Sequence, residues 1–262
     1  DFTNLQGLAK NIQTLQPNII VNAAAYTAVD KAESEPELAR NINALAPGVL
    51  AHEAKKLGAL LVHYSTDYVF DGSGSKPWKE TDATGPLSVY GKTKLEGEQL
   101  IVENCPNHLI LRTSWVYAAR GNNFAKTILR LAEERERLTV IDDQTGAPTG
   151  ADLLADVTAH AIRSVFTNPQ TNPKLAGLYH VVANGQTSWH GYAKFVIEHA
   201  LRAGVPLITT LDAIVPVLTS AFPTAAKRPH NSCLNTNKLQ SAFGLSLPHW
   251  QQGVAHMLNE II

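Results

Sequence analysis

The sequence predicts an α/β fold with a doubly wound parallel sheet. Short apolar runs alternate with longer amphipathic segments, and this alternation is typical of parallel sheets covered by helices on both faces. Small or polar residues directly follow three apolar runs, at residues 23–25, 65–67 and 113–115. Because the carboxyl ends of parallel strands meet at one edge of a sheet, these residues are expected to share a ligand crevice. We therefore predict a Rossmann-type sheet with a smaller C-terminal substrate-binding lobe.

The composition excludes several classes of protein. The chain has 262 residues, of which 44% are hydrophobic and 17% charged, enough for one large domain or a large and a small one. A net charge of −1 argues against nucleic-acid or membrane-surface partners, which require clustered cations. Cys105 and Cys233 form no spaced framework, and no apolar run approaches the ~20 residues of a membrane span. We therefore expect a cytoplasmic protein.

The first half of the chain alternates regularly between helix and strand. Helical spacing of apolar residues predicts a helix over 4–15, and a short apolar strand follows at 19–21. Residues 34–37 read Ser-Glu-Pro-Glu, a capping box with proline in the first turn, and predict one helix to about residue 56. The elements predicted next are a strand at 59–64, a glycine-containing turn at 71–74, a helix to about 103, a strand at 108–112, a helix at 123–134 and a strand at 138–141.

After Pro148 the alternation becomes less regular. The predicted elements are a helix at 152–166, a Pro/Asn-rich loop at 168–174, a strand at 178–182, a helix at 188–203, a proline-rich region, and helices at 237–243 and 248–261. We assign residues 1–145 to a dinucleotide-binding domain that is truncated at its N-terminus. Residues 146–262 are assigned to a substrate-binding lobe, whose strands are candidates to return to the main sheet.

Tyr90 and Lys94 are one turn apart on a predicted helix, so they lie on the same face. A phenol titrates near ~10, and a nearby cation brings its pKa toward neutral pH. Lowering that pKa by about two units requires roughly 3 kcal/mol. Thr66, at the end of the preceding strand, is placed to donate a hydrogen bond to a carbonyl oxygen while Tyr90 delivers a proton. Together, the pair of Tyr90 and Lys94 and the hydroxyl of Thr66 predict an enzyme that acts on a carbonyl group.

Each candidate also has a structural interpretation. Tyrosine and lysine at this spacing are commonly a surface pair, Thr66 is suited to cap a turn, and Asp67 is suited to accept hydrogen bonds within one. Trp115 is suited either to stack on a sugar ring or to plug the lobe interface. The loop at 227–232 carries cations that suit a phosphate, but it is equally typical of a solvated loop.

The ten histidines are scattered along the chain. His63 and His180 lie in apolar strands, which favours hydrogen-bonded core residues over metal ligands, and no zinc site is expected.

Six motifs together carry a family resemblance, and they span nearly the whole chain. They are VNAAAYTAVDKAESEPELA, HYSTDYVFDG, SVYGKTKLEGE, LRTSWVY, DDQTGAPTGADLLA and RPHNSCLNTNKL. With them the chain resembles the dTDP-4-dehydrorhamnose reductases, extended short-chain dehydrogenases/reductases of bacterial nucleotide-sugar metabolism. The resemblance implies reduction of the C4 ketone of dTDP-4-dehydro-L-rhamnose to dTDP-L-rhamnose, with NADPH or NADH as hydride donor.

The resemblance also implies site residues. Tyr90 would be the proton donor, Lys94 would lower its pKa and bind the nicotinamide ribose, and Thr66 would polarise the carbonyl. The implied cofactor contacts are Asp1, Phe2, Ala25, Tyr26, Thr27, Tyr64, Tyr90 and Lys94, with Asp1 and Phe2 near the adenine. The implied substrate contacts are Thr66, Asp67, Trp115, Arg228 and Asn231. Some members of the family form homodimers with bound Mg²⁺, for which no ligands are assigned here.

One part of the family pattern is absent from these residues. The family begins with a strand, a Gly-x-x-Gly-x-x-Gly turn and a helix that hold the pyrophosphate, and the 262 residues contain no such turn. We therefore expect that the chain lacks its natural N-terminus. The polypeptide as given is expected to bind cofactor very poorly, and to be inactive or part of a longer active protein. The choice between NADH and NADPH stays open, since the discriminating strand is absent.

Two other functions share features of this sequence. A nucleotide-sugar epimerase or dehydratase of the same superfamily would use the same Thr66, Tyr90 and Lys94, but the C-terminal motifs favour the reductase. The regulatory subunit of a methionine adenosyltransferase shares similar segments and serves as a binding partner. Capture of a synthetase would support that alternative, and turnover of the keto-sugar by the full-length protein would exclude it.

Overall fold

Helices and strands alternate along the structure, a computed structural model that describes residues 1–167 and 175–262. The helices are α1 (Leu5–Leu15), α2 (Val29–Ala32), α3 (Pro36–Arg40), α4 (Ala46–Leu57), α5 (Val89–Asn104), α6 (Phe124–Glu134), α7 (Ala151–Thr167), α8 (Trp189–Arg202), α9 (Asn237–Phe243) and α10 (Trp250–Ile261). The strands are β1 (Ile19–Asn22), β2 (Leu60–Thr66), β3 (His108–Thr113), β4 (Val116–Tyr117), β5 (Leu138–Ile141), β6 (Thr145–Gly146), β7 (Thr149–Gly150), β8 (Gly177–His180), β9 (Thr187–Ser188) and β10 (Ile214–Val217). The loop predicted at 168–174 lies outside the described residues.

The main sheet has four parallel strands in the order β1-β2-β3-β8. Strand β3 is buried over its whole length, and β2 is buried at all but one residue. Such continuous burial is expected where helices cover both faces of a parallel sheet. The predicted parallel sheet is confirmed, and β8 is a strand of the later chain that returns to it.

The two faces of this sheet pack against different helices. Leu61 and Ile110 belong to a core cluster with residues of α1, α4 and α5. Leu60, Val62 and Leu109 belong to a second cluster with residues of α7 and α9. Because successive side chains of a strand point to opposite faces, this alternation shows helices on both sides of the sheet. The doubly wound arrangement is therefore confirmed.

A second lobe packs around the parallel pair β5 and β10. Its core joins α6 and β5 to α8 and α10. Elements from both sides of residue 145 thus contribute to each lobe. That residues 1–145 bind the dinucleotide and residues 146–262 bind the substrate stays a prediction. Within residues 1–167 and 175–262, the helices are too short or too polar to cross a bilayer.

The helix predicted from residue 34 differs from the expected single helix. The Ser34 hydroxyl donates to the carbonyl of Lys31 at 2.9 Å, and α3 begins at Pro36 without a side-chain cap. A π-helical turn at Asn41–Leu45 then separates α3 from α4. Pro47 lacks the N–H that would bond to the carbonyl four residues earlier, which accounts for the irregularity just before it.

Strand β10 was not predicted, because it lies in the proline-rich region. It contains Pro216 and, among the residues that the structure describes, pairs only with β5. A proline is tolerated in such a strand because its other edge donates no ladder hydrogen bonds.

Candidate active site

Helix α5 places Tyr90 and Lys94 beside the end of β2. The Ser88 hydroxyl caps the helix by accepting from the Gly91 N–H at 3.2 Å, so Tyr90 lies in the first turn. A Cβ atom on Gly91 would lie 2.2 Å from the Tyr68 carbonyl oxygen, so only glycine permits this close approach. As a result the rings of Tyr68 and Tyr90 meet edge to face, with centroids 5.4 Å apart.

A first cleft of about 450 Å³ opens at this edge of the sheet. The residues that line it are Ala23, Ala25, Thr27, Tyr64, Ser65, Tyr90, Lys94, Thr113, Val116, Ala151, Leu154 and Ala155. The many alanines leave room for a flat ring system close to the backbone. The hydroxyls of Ser65 and Thr113 are buried beneath this lining without a protein hydrogen-bond partner. This lining fits the nicotinamide end of a dinucleotide.

Lys94 lies at the base of the first cleft and is 1% exposed. Its Nζ donates to the Tyr64 carbonyl at 2.6 Å and lies 3.2 Å from Nε2 of His63. Burial lowers the pKa of Lys94 to about 8, and the charge of Glu98 opposes this shift. Tyr64 and His63 therefore fix the position of this nitrogen.

The pKa of Tyr90 differs from the expectation. Burial raises it to about 12, a hydrogen bond with Thr66 lowers it, and the charge of Asp67 raises it. The expected lowering by Lys94 is absent in the protein alone, because burial dominates and the Lys94 nitrogen is bonded elsewhere. Tyr90 is consequently a fully protonated phenol at neutral pH.

Thr66 and Asp67 form a buried turn at the end of β2. The Thr66 hydroxyl accepts from the Tyr68 N–H at 3.2 Å and donates to Oδ1 of Asp67 at 3.2 Å. The capping role considered for Thr66 is thus present, and it places this hydroxyl next to Tyr90. Burial raises the pKa of Asp67 to about 7, although contacts with Ser232 and Thr66 lower it.

Replacing Asp67 by asparagine is expected to stabilise the protein at pH 8 and to flatten its stability between pH 4 and 7. Because the folded pKa of Asp67 is raised from 3.8 to about 7, its contribution to stability is present at low pH and is lost as the pH rises to 7. The gain in the free energy of unfolding at pH 8 is on the order of 4 kcal/mol at most. Urea unfolding at pH 5 and pH 8 measures it. Asp71→Asn is the control, because the pKa of Asp71 is lowered, and an equal gain in that variant would contradict the assignment.

A second cleft of about 330 Å³ lies beyond the Tyr68 ring. Its lining includes Trp115, Trp189, Phe222, Arg228 and Ser232. Trp115 and Trp189 stack with ring centroids 3.6 Å apart and an interplanar angle of 15°. Tyr68 lines this cleft and Tyr90 lines the first, so their contact places the two clefts side by side. Trp115 therefore both faces a cleft and packs against the second lobe.

Trp115 owes its position to the backbone. It has a φ of +49°, in the left-handed region that non-glycine residues rarely adopt. A Cβ atom on Gly146 would lie 2.7 Å from its ring, so the ring packs directly on the backbone of β6.

Arg228 and Asn231 already have protein partners. Arg228 donates to both carboxylate oxygens of Asp30, at 3.2 Å from Nη1 and 2.6 Å from Nη2. This bond lowers the pKa of Asp30 and ties α2 to the C-terminal loop. The buried Asn231 amide donates to the Lys76 carbonyl at 2.9 Å and accepts from the Cys233 N–H at 3.1 Å. Its hydrogen bonds therefore hold loops together, whereas Arg228 faces the second cleft.

Of the remaining predicted cofactor contacts, Ala25, Thr27 and Tyr64 line the first cleft. The others lie outside that lining. The Tyr26 hydroxyl donates to Glu35, the Asp1 carboxylate accepts from the Thr3 N–H, and Phe2 packs against the core cluster of α1 and α4.

Helix α7 contributes three residues to the first cleft that were not predicted, Ala151, Leu154 and Ala155. Nothing local marks these residues, because the fold alone brings α7 to this edge. Some members of the resembled family bind Mg²⁺, and the described part of this chain contains no group of three or more His, Cys, Asp or Glu side chains placed to bind a metal.

Comparison with known proteins gives consistent matches over the whole chain. The family model described as the RmlD substrate binding domain matches residues 1–262. The dTDP-4-dehydrorhamnose reductase of Escherichia coli strain K12 is 59% identical over 261 residues, which cover 100% of this chain and 85% of that protein. That of Burkholderia thailandensis is 45% identical over 264 residues, covering 100% and 88%.

Solved structures show the same similarity. The crystal structure of dTDP-4-dehydrorhamnose reductase from Bacillus anthracis, in complex with NADP, superimposes with a TM-score of 0.89 at 36% identity, covering 99% of this chain and 86% of that one. The enzyme from Clostridium acetobutylicum gives a TM-score of 0.88 at 36% identity, covering 100% and 87%.

Proposed function

This chain belongs to the family of the RmlD substrate binding domain and the dTDP-4-dehydrorhamnose reductases, and from that premise we propose the chemistry of its two clefts. The reaction is the NAD(P)H-dependent reduction of the C4 ketone of dTDP-4-dehydro-L-rhamnose to dTDP-L-rhamnose. The observation that carries the proposal is the placement of Tyr90, next to Thr66, where the first and second clefts meet. A ketone at this point would lie within reach of both hydroxyl groups.

The first cleft is proposed to hold the nicotinamide end of NADPH or NADH, which supplies the hydride when bound. Ala25 and Thr27 would line one side of it, and Lys94 would meet the ribose from the base of the cleft. Ser65 and Thr113 would complete the wall of the cleft. Asp1, Phe2 and Tyr26 would lie on the path toward the adenine.

Tyr90 is proposed to give its proton to the ketone oxygen. Its raised pKa keeps the phenol protonated throughout the neutral range, so the proton that the reduction requires is present. Thr66 would turn its hydroxyl from Asp67 to the ketone oxygen and stabilise the charge that develops there. This change breaks only one hydrogen bond, the 3.2 Å bond to Asp67, so its free-energy cost is small.

The second cleft is proposed to hold the sugar nucleotide. Trp115 presents an apolar face to the sugar, and Asp67 lies behind it. Arg228 would bind the diphosphate, to which its planar guanidinium is matched in geometry and charge. Asn231 would support this loop through its bonds to the backbone. On this proposal residues before 145 build most of the dinucleotide site and also line most of the second cleft, to which the later residues add Trp189, Phe222, Arg228, Pro229 and Ser232.

Consumption of NADPH by the full-length gene product, with the purified 4-keto sugar nucleotide as substrate, tests this function. We expect the absorbance at 340 nm to fall only when protein, cofactor and keto-sugar are all present. Chromatography should show one molecule of dTDP-L-rhamnose for each NADPH consumed. No decrease above background would overturn the reductase assignment. Conversion of the keto-sugar without net NADPH consumption would instead indicate an epimerase or dehydratase.

A further inference from the structure

His63 lies between two nitrogen atoms in the core beneath the first cleft. It is completely buried on β2. Its Nδ1 lies 2.9 Å from Nδ2 of Asn22 on β1, and its Nε2 lies 3.2 Å from Nζ of Lys94 on α5. A neutral imidazole has one N–H and one lone pair, so it cannot accept a hydrogen bond from both neighbours. The proton positions on Asn22, His63 and Lys94 are therefore linked.

The orientation of Asn22 decides which nitrogen of His63 carries the proton. The Asn22 Oδ1 accepts from the Ala24 N–H at 3.1 Å. Turning the amide over would bring its NH₂ group against that N–H, so Nδ2 must face His63. Nδ1 of His63 then accepts from Asn22, and a neutral ring carries its proton on Nε2. Burial is the main cause that lowers the pKa of His63, and it keeps the ring neutral whatever the charge of Lys94.

In this tautomer the Nε2–H group of His63 faces Nζ of Lys94. An ammonium has no lone pair and cannot accept from Nε2–H, whereas a neutral amine accepts from His63 and still donates to the Tyr64 carbonyl. Protonating Lys94 therefore requires either two opposed donors or a turn of Asn22 that breaks its bond to Ala24. Both changes are costly in a buried site.

The other charged groups around Lys94 offset this cost only in part. The charge of Glu98, one turn further along α5, favours the ammonium, but both of its oxygens are bonded to Arg112 of β3, at 2.8 Å and 2.6 Å. Tyr90 is protonated, and Asp67 bonds to Thr66 rather than to Lys94.

We propose that Asn22 and His63 are positioning residues that stabilise the neutral amine of Lys94 relative to its ammonium form. The inference rests on the proposed place of Lys94 in the cofactor site and goes beyond it. It links the charge of Lys94 to the backbone at Ala24, whose two neighbours, Ala23 and Ala25, line the first cleft.

The test is an NMR titration of Lys94 in cofactor-free protein carrying ¹³C-labelled lysine. The Cε signal is assigned from its absence in Lys94→Arg. In the unaltered protein we expect a midpoint at least about two pH units below the ordinary value near ~10.4. Asn22→Asp keeps an acceptor for Ala24 but accepts from Nδ1–H, so Nε2 becomes an acceptor, and the midpoint should rise by about one unit or more. His63→Gln, which offers an amide oxygen, should raise it as well.

His63→Phe supplies the matched control, because it keeps the ring but removes both nitrogens. Its midpoint should rise less than that of His63→Gln, because phenylalanine removes the Nε2–H that opposes the ammonium but offers no acceptor for it. In this background Asn22→Asp should produce a smaller shift, since only its charge remains to act. An ordinary lysine midpoint in the unaltered protein would overturn the proposal. So would equal shifts from Asn22→Asp with and without His63. If His63→Gln does not fold, as judged by circular dichroism, the Asn22→Asp comparison decides alone.

This titration contains neither cofactor nor substrate, so its outcome is independent of the proposed reaction. In the active protein, the pH at which kcat changes should move with the Lys94 midpoint in Asn22→Asp. A merely structural role for Asn22 would lower the melting temperature and leave that pH unchanged.

Discussion

Tyr90→Phe is expected to lower kcat about 10³-fold while cofactor affinity changes little. The substitution removes only the hydroxyl that is proposed to give a proton to the ketone oxygen, and general acid catalysis typically contributes 10²–10⁴-fold. The ring remains, so its edge-to-face contact with Tyr68 and the lining of the first cleft are preserved. Steady-state kinetics with the keto-sugar give kcat, and quenching of tryptophan fluorescence by NADPH gives the affinity for cofactor.

Tyr179→Phe is the matched control for this variant. Tyr179 is a buried tyrosine of β8 whose hydroxyl donates to the Leu175 carbonyl at 2.9 Å, away from both clefts. Losing that hydroxyl should cost about 1 kcal/mol of stability and leave kcat unchanged. If Tyr90→Phe retained more than a tenth of the original kcat, Tyr90 would not be the proton donor. An equal loss in both variants would show a general effect on folding.

Glu98→Gln is expected to lower the free energy of unfolding by at least about 3 kcal/mol, the cost typical of breaking a buried ion pair. Glu98 and Arg112 are each about 5% exposed or less in their side chains and share two short hydrogen bonds between α5 and β3. The substitution leaves a guanidinium buried without a charge partner, since Nη1 of Arg112 already lacks a hydrogen bond. Urea unfolding monitored by circular dichroism measures the loss.

The double variant Glu98→Gln with Arg112→Met distinguishes the loss of the ion pair from the cost of leaving the Arg112 guanidinium buried without a charge partner. Removing both charges should recover much of the stability, because an apolar replacement of a buried pair is often neutral. If the double variant were less stable than Glu98→Gln alone, the unpaired guanidinium would not be the cause. Arg130→Met is an exposed control, since Arg130 and Glu134 are paired on the surface of α6, and it should change stability by less than about 1 kcal/mol.

Local pattern was sufficient for most of the fold. Helix α9 occurs at the predicted residues, and α1, α6 and α8 agree with their predictions to within about a residue at each end. The apolar periodicity of these segments is strong, and each has a clear end. Strands β2 and β3 were also predictable, because uninterrupted apolar runs bounded by turn residues suit a sheet covered on both faces. Because the carboxyl ends of parallel strands meet at one edge of a sheet, Ser65, Thr113 and Trp115 could also be predicted to lie at that edge.

The remaining features depend on contacts between distant parts of the chain. The bond between Asp30 and Arg228 joins residues that no local pattern relates, and so does the row of Asn22, His63 and Lys94. A sequence indicates that His63 is buried, but the chemical identity of its neighbours follows only from strand register. For the same reason the desolvation of Tyr90, which reverses the expected direction of its pKa, could not be read from the spacing of Tyr90 and Lys94.

The return of β8 to the main sheet has a consequence for any attempt to divide the protein. Strand β8 pairs with β3, and α7 and α9 cover the apolar side chains of Leu60, Val62 and Leu109. A polypeptide ending at residue 145 would leave one whole face of β2 and β3 bare, with an unpaired edge at β3. The two halves of the chain are therefore expected to melt as a single cooperative unit, and a break between them would yield aggregating pieces rather than two independent domains.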